Sequence, residues 1–212
     1  MSTETQSKPK RIRTFSPSQI IEREFKQLAL PQRWEDLLGK PTPNFCSIIY
    51  GPANNGKSPF SVQLAEVLSQ FGKVLYVSSE ELISATLKER LVMNNIQSDK
   101  VRFAGVRTAD DIETLVRRIH PRFIIIDSVQ ICNLTFKDFT RLKNKEFKNR
   151  KGWHLVSQTS NTGRMMLPQK WAHEVDAKIQ IVRGIATCVS RFKSSGRMEV
   201  FKSQDNQTLF NQ

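Results

Sequence analysis

The sequence is short of acids, short of cysteines and free of long apolar runs, and each shortage excludes something. No uninterrupted apolar stretch reaches the roughly 18 residues of a membrane span, so no membrane attachment is expected. The N-terminus, MSTETQSKPKRIR, has no apolar segment behind its basic residues, which excludes a secretory signal and leaves the cytoplasm as the expected location. Cys46, Cys132 and Cys188 are far apart, with no C-x-x-C and no matching histidine spacing. They are expected to be buried apolar fillers, neither metal ligands nor a redox pair. There is no internal repeat and no low-complexity tract. Acidic residues number 20 against 33 basic ones, a net charge of +13. An excess of that size draws polyanions, nucleic acid first among them, although a merely solvated basic surface has the same composition.

What is present describes one α/β domain with extensions. A length of 212 residues, with 38% hydrophobic and 25% charged, suits one two-sided core and is short for two. Residues 1–14, with Lys8, Lys10, Arg11 and Arg13, show no apolar periodicity and are expected to form a disordered basic arm. Residues 15–43 form a lead-in. Within it, Ser16-Pro17 opens a helix whose Ile20, Ile21, Phe25 and Leu28 share one face, ending near Pro31. From residue 44 to 206, apolar runs of strand length alternate with helical segments. The runs are NFCSIIY, KVLYVSS, VRFAGV, FIIIDS and WHLVSQT. Helical stripes lie between them at Phe60, Leu64, Val67, Leu68 and Phe71, and at Ile112, Leu115, Val116 and Ile119. This alternation predicts a central, mostly parallel sheet flanked by helices. DAKIQIVRG, ATCVSRFK and RMEVFKSQ follow with connections too short for crossovers, which predicts C-terminal antiparallel strands, then a tail over 207–212.

The most informative stretch is GPANNGKSPF. Gly51, Pro52, Ala53, Asn54, Asn55, Gly56, Lys57 and Ser58 directly follow one predicted strand and directly precede one predicted helix. In that setting, glycine-permitted turns aim backbone N–H groups at phosphate oxygens and the helix N-terminus adds its positive end. Lys57 would reach the β- and γ-phosphates and Ser58 would ligate Mg²⁺. Pro59 is tolerated in a first helical turn but has no N–H to offer an α-phosphate. The grip is therefore expected to be working but weakened.

Further polar groups fall at strand ends on the same predicted edge. Glu80 is placed to orient and deprotonate an attacking water, and Glu81 to stabilise the first turn of the helix that follows. Asp127, ending a buried apolar run, is placed to hold Mg²⁺ through water, with Ser128 and Gln130 as minor candidates. Gln158 is either a γ-phosphate sensor or a strand-end cap. The loop over 160–173 carries Gly163, Arg164 and Lys170 and is a candidate substrate-facing segment. Between Lys137 and Lys151 lie seven basic and two acidic residues. A helix anchored by Phe139, Leu142 and Phe147 would turn Lys143, Lys145, Lys148, Arg150 and Lys151 outward, toward DNA or simply toward solvent.

Taken in order, GPANNGKS, VLYVSSEE, IIIDSVQ, VSQTSNTG, HEVDAKIQIV and SRFKSSG resemble the RecA-like P-loop ATPases, most closely the RadA (Sms) branch and more distantly the DnaB helicase core. The likeness covers about residues 44–203. It implies ATP and Mg²⁺ as ligands, with Lys57 and Ser58 on nucleotide and metal, Glu80 as catalytic base, Asp127 on the metal and Gln158 as sensor. It also implies single- or double-stranded DNA as substrate, a homo-oligomer, and a replication or recombination partner protein. Arg191 matches the arginine of the branch's Lys-Asn-Arg-Phe-Gly stretch and is the candidate for action across a subunit boundary. Val189, Ser190 and Lys193 depart from that stretch. Neither the cysteine zinc module nor the protease-like domain of the branch is seen, so a minimal single-domain form is expected. An ATP-dependent switch or loader that holds a partner protein remains the alternative function.

Overall fold

The computed structural model describes residues 13–160 and 163–201. Most of the basic arm, including Lys8, Lys10 and Arg11, and the tail over 207–212 lie outside the described residues.

Among the described residues the strands form one eight-stranded sheet in the order β3-β2-β4-β5-β1-β6-β7-β8. These are β1 (Cys46–Gly51), β2 (Val74–Ser78), β3 (Val101–Ala104), β4 (Phe123–Asp127), β5 (Gly152–Gln158), β6 (Ala177–Val182), β7 (Ile185–Ser190) and β8 (Gly196–Glu199). From β3 to β6 every pairing is parallel, and β6-β7-β8 closes the sheet with antiparallel hairpins. The central parallel strands β1, β2, β4 and β5 are buried on both faces, which is why they read as continuous apolar runs. The hairpin strands bury only alternate residues, as in Ala177, Ile179 and Ile181 of β6.

Each face has its own core. On one face lie α2 (Gln32–Leu38) and α3 (Lys57–Ser69), with Trp34, Leu37, Phe60, Leu64 and Leu68 packed on Ile49, Tyr76 and Ile125. On the other, Ile112, Leu115 and Val116 of α5 (Ala109–Ile119), with Phe139 and Trp171, cover Ile48, Val77 and Ile126. The stripes read from the sequence are the faces that enter these cores. Thr108 caps α5 by accepting from Asp111 N, with acids in the first turn and Arg117 and Arg118 in the last. The three cysteines are free and buried.

The lead-in differs from its expectation. Helix α1 covers only Pro17–Ile21, closed by a capping box between Ser16 and Gln19, and buries no residue. Ile20, Ile21 and Phe25 are exposed, whereas Leu28 and Leu30 are buried. Two buried leucines at a spacing of two require extended chain, and Leu28 N–H donates to Pro41 O at 2.8 Å. Core insertion thus outcompetes a helical periodicity that has nothing to pack against.

His154 of β5 is completely buried. Its Nδ1 lies 2.9 Å from Ser47 Oγ and its ring packs edge-on to Phe45. Burial depresses its pKa from 6.5 to about 3. The folded chain keeps the ring neutral while the unfolded chain protonates it near 6.5. The stability this represents is therefore complete above about pH 6.5 and is lost as pH falls toward 3, by about 1.4 kcal/mol per unit. Denaturant unfolding between pH 7 and 4 should show that slope, and His154→Gln should flatten it; equal slopes in both proteins would contradict the assignment.

Candidate functional site

Strand register assembles the cleft. β1 pairs with β5 so that Gly51 stands beside Gln158, and β2 pairs with β4 so that Ser78 stands beside Asp127. The phosphate-loop residues, Glu80, Asp127 and Gln158 therefore leave the sheet at one rim. Together with Lys57, Ser58 and Pro59 they line a cleft of about 160 Å³.

Two glycines shape the loop. A side chain at Gly51 would put its Cβ 2.0 Å from Ile181 O, and Gly56 caps α3 at φ 101°, in the left-handed region, with the Phe201 ring against it. The β6-β7 turn holds the loop from outside: Arg183 N–H donates to Asn55 Oδ1 at 2.7 Å and Gly184 N–H to Asn55 O at 3.1 Å. Pro59 falls at the third position of α3. The first helical bond, Phe60 N–H to Gly56 O at 3.0 Å, bypasses it, so the helix loses nothing to the proline.

Lys57 Nζ folds onto its own loop, donating to Pro52 O at 2.7 Å. Burial lowers its pKa, opposed by the charges of Asp127 and Glu80. Asp127 is buried and accepts from Tyr76 Oη at 2.7 Å, and Ser58 lines the cleft beside it. Burial pushes its carboxyl above the usual range, opposed by the hydrogen bond from Tyr76. Ser79 ties the strand ends together through Oγ bonds to the carbonyls of Asp127 and Ser128 at 3.0 and 3.1 Å.

These residues fit a metal-bound nucleotide. A hydroxyl, a carboxylate and an ammonium face one cleft, and the Ser128 hydroxyl beside them is buried without a hydrogen-bond partner among the described residues. An orphaned buried hydroxyl on a cleft wall marks a place where a ligand or solvent supplies the missing bond. The Gln130 amide donates to Ser157 Oγ at 2.8 Å, which ties it to β5.

Two residues of the site escape sequence reasoning. Arg90, from α4 (Ala85–Met93), lies in the cleft wall and forms a bidentate ion pair with Glu81. Helix α4 begins only at Ala85, capped by Ser84, so Glu81 is Arg90's partner and not a first-turn acid. The other is Tyr76, whose signal was a phenol within an otherwise apolar buried run, since a buried Tyr hydroxyl needs a partner.

The remaining candidates sit elsewhere. Residues 136–146 form α6 (Phe136–Thr140) and a π-helical turn, Arg141–Glu146, docked on α5 through the Arg141 ion pairs to Asp110 and Glu113. Lys143 and Lys151 do not face outward: Lys143 pairs with Glu174 at 3.0 Å and Lys151 donates to Pro121 O at 2.6 Å. Nearby anionic and carbonyl groups capture these two stems, leaving Lys145, Lys148 and Arg150 exposed. Arg164 and Lys170 are also exposed, the latter over the Phe136 ring. Arg191 pairs with Asp176 at 3.1 Å, beside the β6 start where Ala177 faces Ser190. That is the rim opposite the cleft, so Arg191 takes no part in its own chain's phosphate site.

The comparisons agree with this geometry. No protein-family profile matches the chain. The KaiC-like protein PH0186 of Pyrococcus horikoshii superposes with a TM-score of 0.61 at 12% identity, over 79% of this chain and 88% of that one. The flagellar accessory protein FlaH of Methanocaldococcus jannaschii does so with a TM-score of 0.58 at 12% identity, over 81% and 93%. The chain has the RecA-like fold with a P-loop at its sheet rim. Within that class its sequence is similar to the DNA repair protein RadA. The identity is 35% over 92 residues with the protein of Streptococcus pneumoniae and 32% over 102 with that of Chlamydia trachomatis. Those matches take in 43% and 47% of this chain and about a fifth, 22%, of either relative. Among the described residues no helix is long and apolar enough to cross a membrane.

Proposed function

We propose that residues 44–206 bind ATP with Mg²⁺ in this cleft, hydrolyse it, and couple the cycle to DNA in the cytoplasm. The single observation behind the reading is the cleft itself, where Lys57, Ser58, Glu80, Asp127 and Gln158 share one wall system of about 160 Å³. Lys57 leaves Pro52 O for the phosphates, where its charge offsets the charge that develops during transfer. Ser58 and Asp127 would hold the metal, which when bound would supply Lewis-acid charge to the phosphate oxygens. Glu80, exposed at the cleft mouth, orients and deprotonates the water. Gln158 senses the terminal phosphate. Its carbonyl accepts from Met166 N–H at 3.0 Å, so a shift there reaches the hairpin that carries Arg164.

The DNA-facing surface in this reading comprises Lys145, Lys148 and Arg150, with Arg164 and Lys170 on a separate segment. The RadA relatives are named as DNA repair proteins, which agrees with it. Contact through the first three alone gives a log-log salt slope of roughly −2 to −3. ATPase rate measured with and without single-stranded DNA tests the coupling, and affinity that stays flat between low and moderate salt would remove this surface from it. Arg191 on the far rim would serve a neighbouring copy's nucleotide in a homo-oligomer. A replication or recombination protein is the proposed partner.

Pro59 favours a second reading, an ATP-dependent switch or loader with little turnover. A Pro59→Thr variant regains the N–H that an α-phosphate would accept, at a helix position with no competing acceptor. ATP should then bind about 10-fold tighter, from a charge-assisted hydrogen bond of roughly 1.5–3 kcal/mol. Calorimetric titration giving equal or poorer affinity would mean the loop does not hold the α-phosphate there.

A further inference from the structure

Tyr76 stands in the middle of β2, on the strand next to the one that ends in Asp127. Its side chain is entirely buried, with its ring 5.0 Å from that of Phe103 on β3. Its hydroxyl has one partner among the described residues, Asp127 Oδ2 at 2.7 Å. A phenol is protonated at neutral pH and a carboxylate oxygen can only accept, so Tyr76 is the donor of this bond. Ser58, from the phosphate loop, lines the cleft on the other side of the same carboxylate. Arg90 stands close enough for its charge to favour the ionised carboxylate, while Glu81 occupies the guanidinium itself. Asp127 is thus held from the sheet side by a buried phenol, with its other oxygen left for the cleft.

We infer that Tyr76 is a positioning residue for the metal: by anchoring Oδ2 from inside the sheet, it fixes the orientation in which the Asp127 carboxylate presents its other oxygen to Mg²⁺. The inference rests on the proposed ATP·Mg²⁺ reading and deepens it. A carboxylate at the end of a strand rotates about its terminal torsion, and that torsion has a broad, soft well. A hydrogen bond from a ring fully buried within the sheet removes that freedom before metal arrives. Outer partners of metal ligands commonly change metal affinity by 10- to 100-fold when removed.

The test is the Mg²⁺ concentration that half-maximally strengthens ATP binding, followed by fluorescence titration of the full chain, with ATP affinity in EDTA as the companion measurement. Tyr76→Phe keeps the ring and should raise the metal midpoint roughly 10-fold while leaving metal-free affinity within about 2-fold. Phe103→Leu should lower the melting temperature without moving the midpoint. Metal-free and metal-bound affinities falling together in Tyr76→Phe, or Phe103→Leu moving the midpoint equally, would reduce Tyr76 to a packing role. The sequence has two tyrosines, Tyr50 and Tyr76, so 3-fluorotyrosine labelling gives a readout that needs no destabilising variant. The Tyr76 resonance, assigned with Tyr50→Phe, should shift when Mg²⁺ joins the ATP complex and not when ATP binds in EDTA. An unmoved resonance would overturn the inference. Asp127→Asn separates the two levels: metal dependence that survives it overturns the ATP·Mg²⁺ reading and the role of Tyr76 with it. Loss in Asp127→Asn without loss in Tyr76→Phe sinks Tyr76 alone.

Discussion

Glu80→Gln should abolish turnover and leave ATP bound. The side chain stands two residues beyond Ser78, the partner of Asp127 in the β2-β4 register, and is exposed at the mouth of the cleft. It makes no ion pair among the described residues; the neighbouring Glu81 takes Arg90 instead. A carboxylate left unpaired beside a phosphate loop is free to accept a proton from water. The amide replaces it with nearly the same shape and no basicity. General-base catalysis contributes about 10²- to 10⁴-fold, so phosphate release should fall at least 100-fold with ATP affinity within about 3-fold. Phosphate release and calorimetric titration on the same preparation check both halves. A wild-type protein with no turnover to lose would favour the switch reading, and unimpaired turnover in Glu80→Gln would assign the base elsewhere.

Lys57→Ala should cost both binding and rate. Its ammonium is half-buried, and its one hydrogen bond among the described residues goes to a carbonyl of its own loop, so folding makes little use of it. Burial already disfavours its charge, and an anionic ligand would restore what the desolvated cation lacks. Losing a charge-assisted hydrogen bond costs roughly 1.5–3 kcal/mol, or about 10- to 100-fold in ATP affinity. A further loss of about 10²- to 10³-fold in turnover should follow from the missing charge in the transition state. The melting temperature without nucleotide should stay within a few degrees. If ATP binds Lys57→Ala as tightly as the parent, the phosphates lie outside this loop and the reading fails.

Much of this was legible in advance because it is written in local chemistry. Strand-length apolar runs leading to Gly51, Ser78, Asp127 and Gln158 needed no tertiary information, since a strand buried on both faces is apolar over most of its length. Short links after Val182 and Ser190 allowed only hairpins. Other features were not legible. The lead-in carried a sound helical period, yet period alone does not say whether a partner surface exists. Leu28 and Leu30 enter the core as extended chain while Ile20 and Ile21 stay in water. Lys143 and Lys151 had the look of outward cations until Glu174 and Pro121, distant in sequence, came within reach of their stems. Arg90 belongs to no local motif, Tyr76 has no role in the one that contains it, and their partners lie 9 and 51 residues away.

The amino-acid order by itself determined which segments leave the sheet, at which residue, and with what chemistry in the phosphate loop, because backbone turns and apolar periodicity act over a few residues. Only the tertiary structure decided the strand order that sets Gly51 beside Gln158 and Ser78 beside Asp127. The same holds for the opposite rim given to Arg191 and for the buried phenol given to Asp127. Charge pairing and hydrogen bonding depend on distance in space, and that distance exists only once the chain has closed on itself.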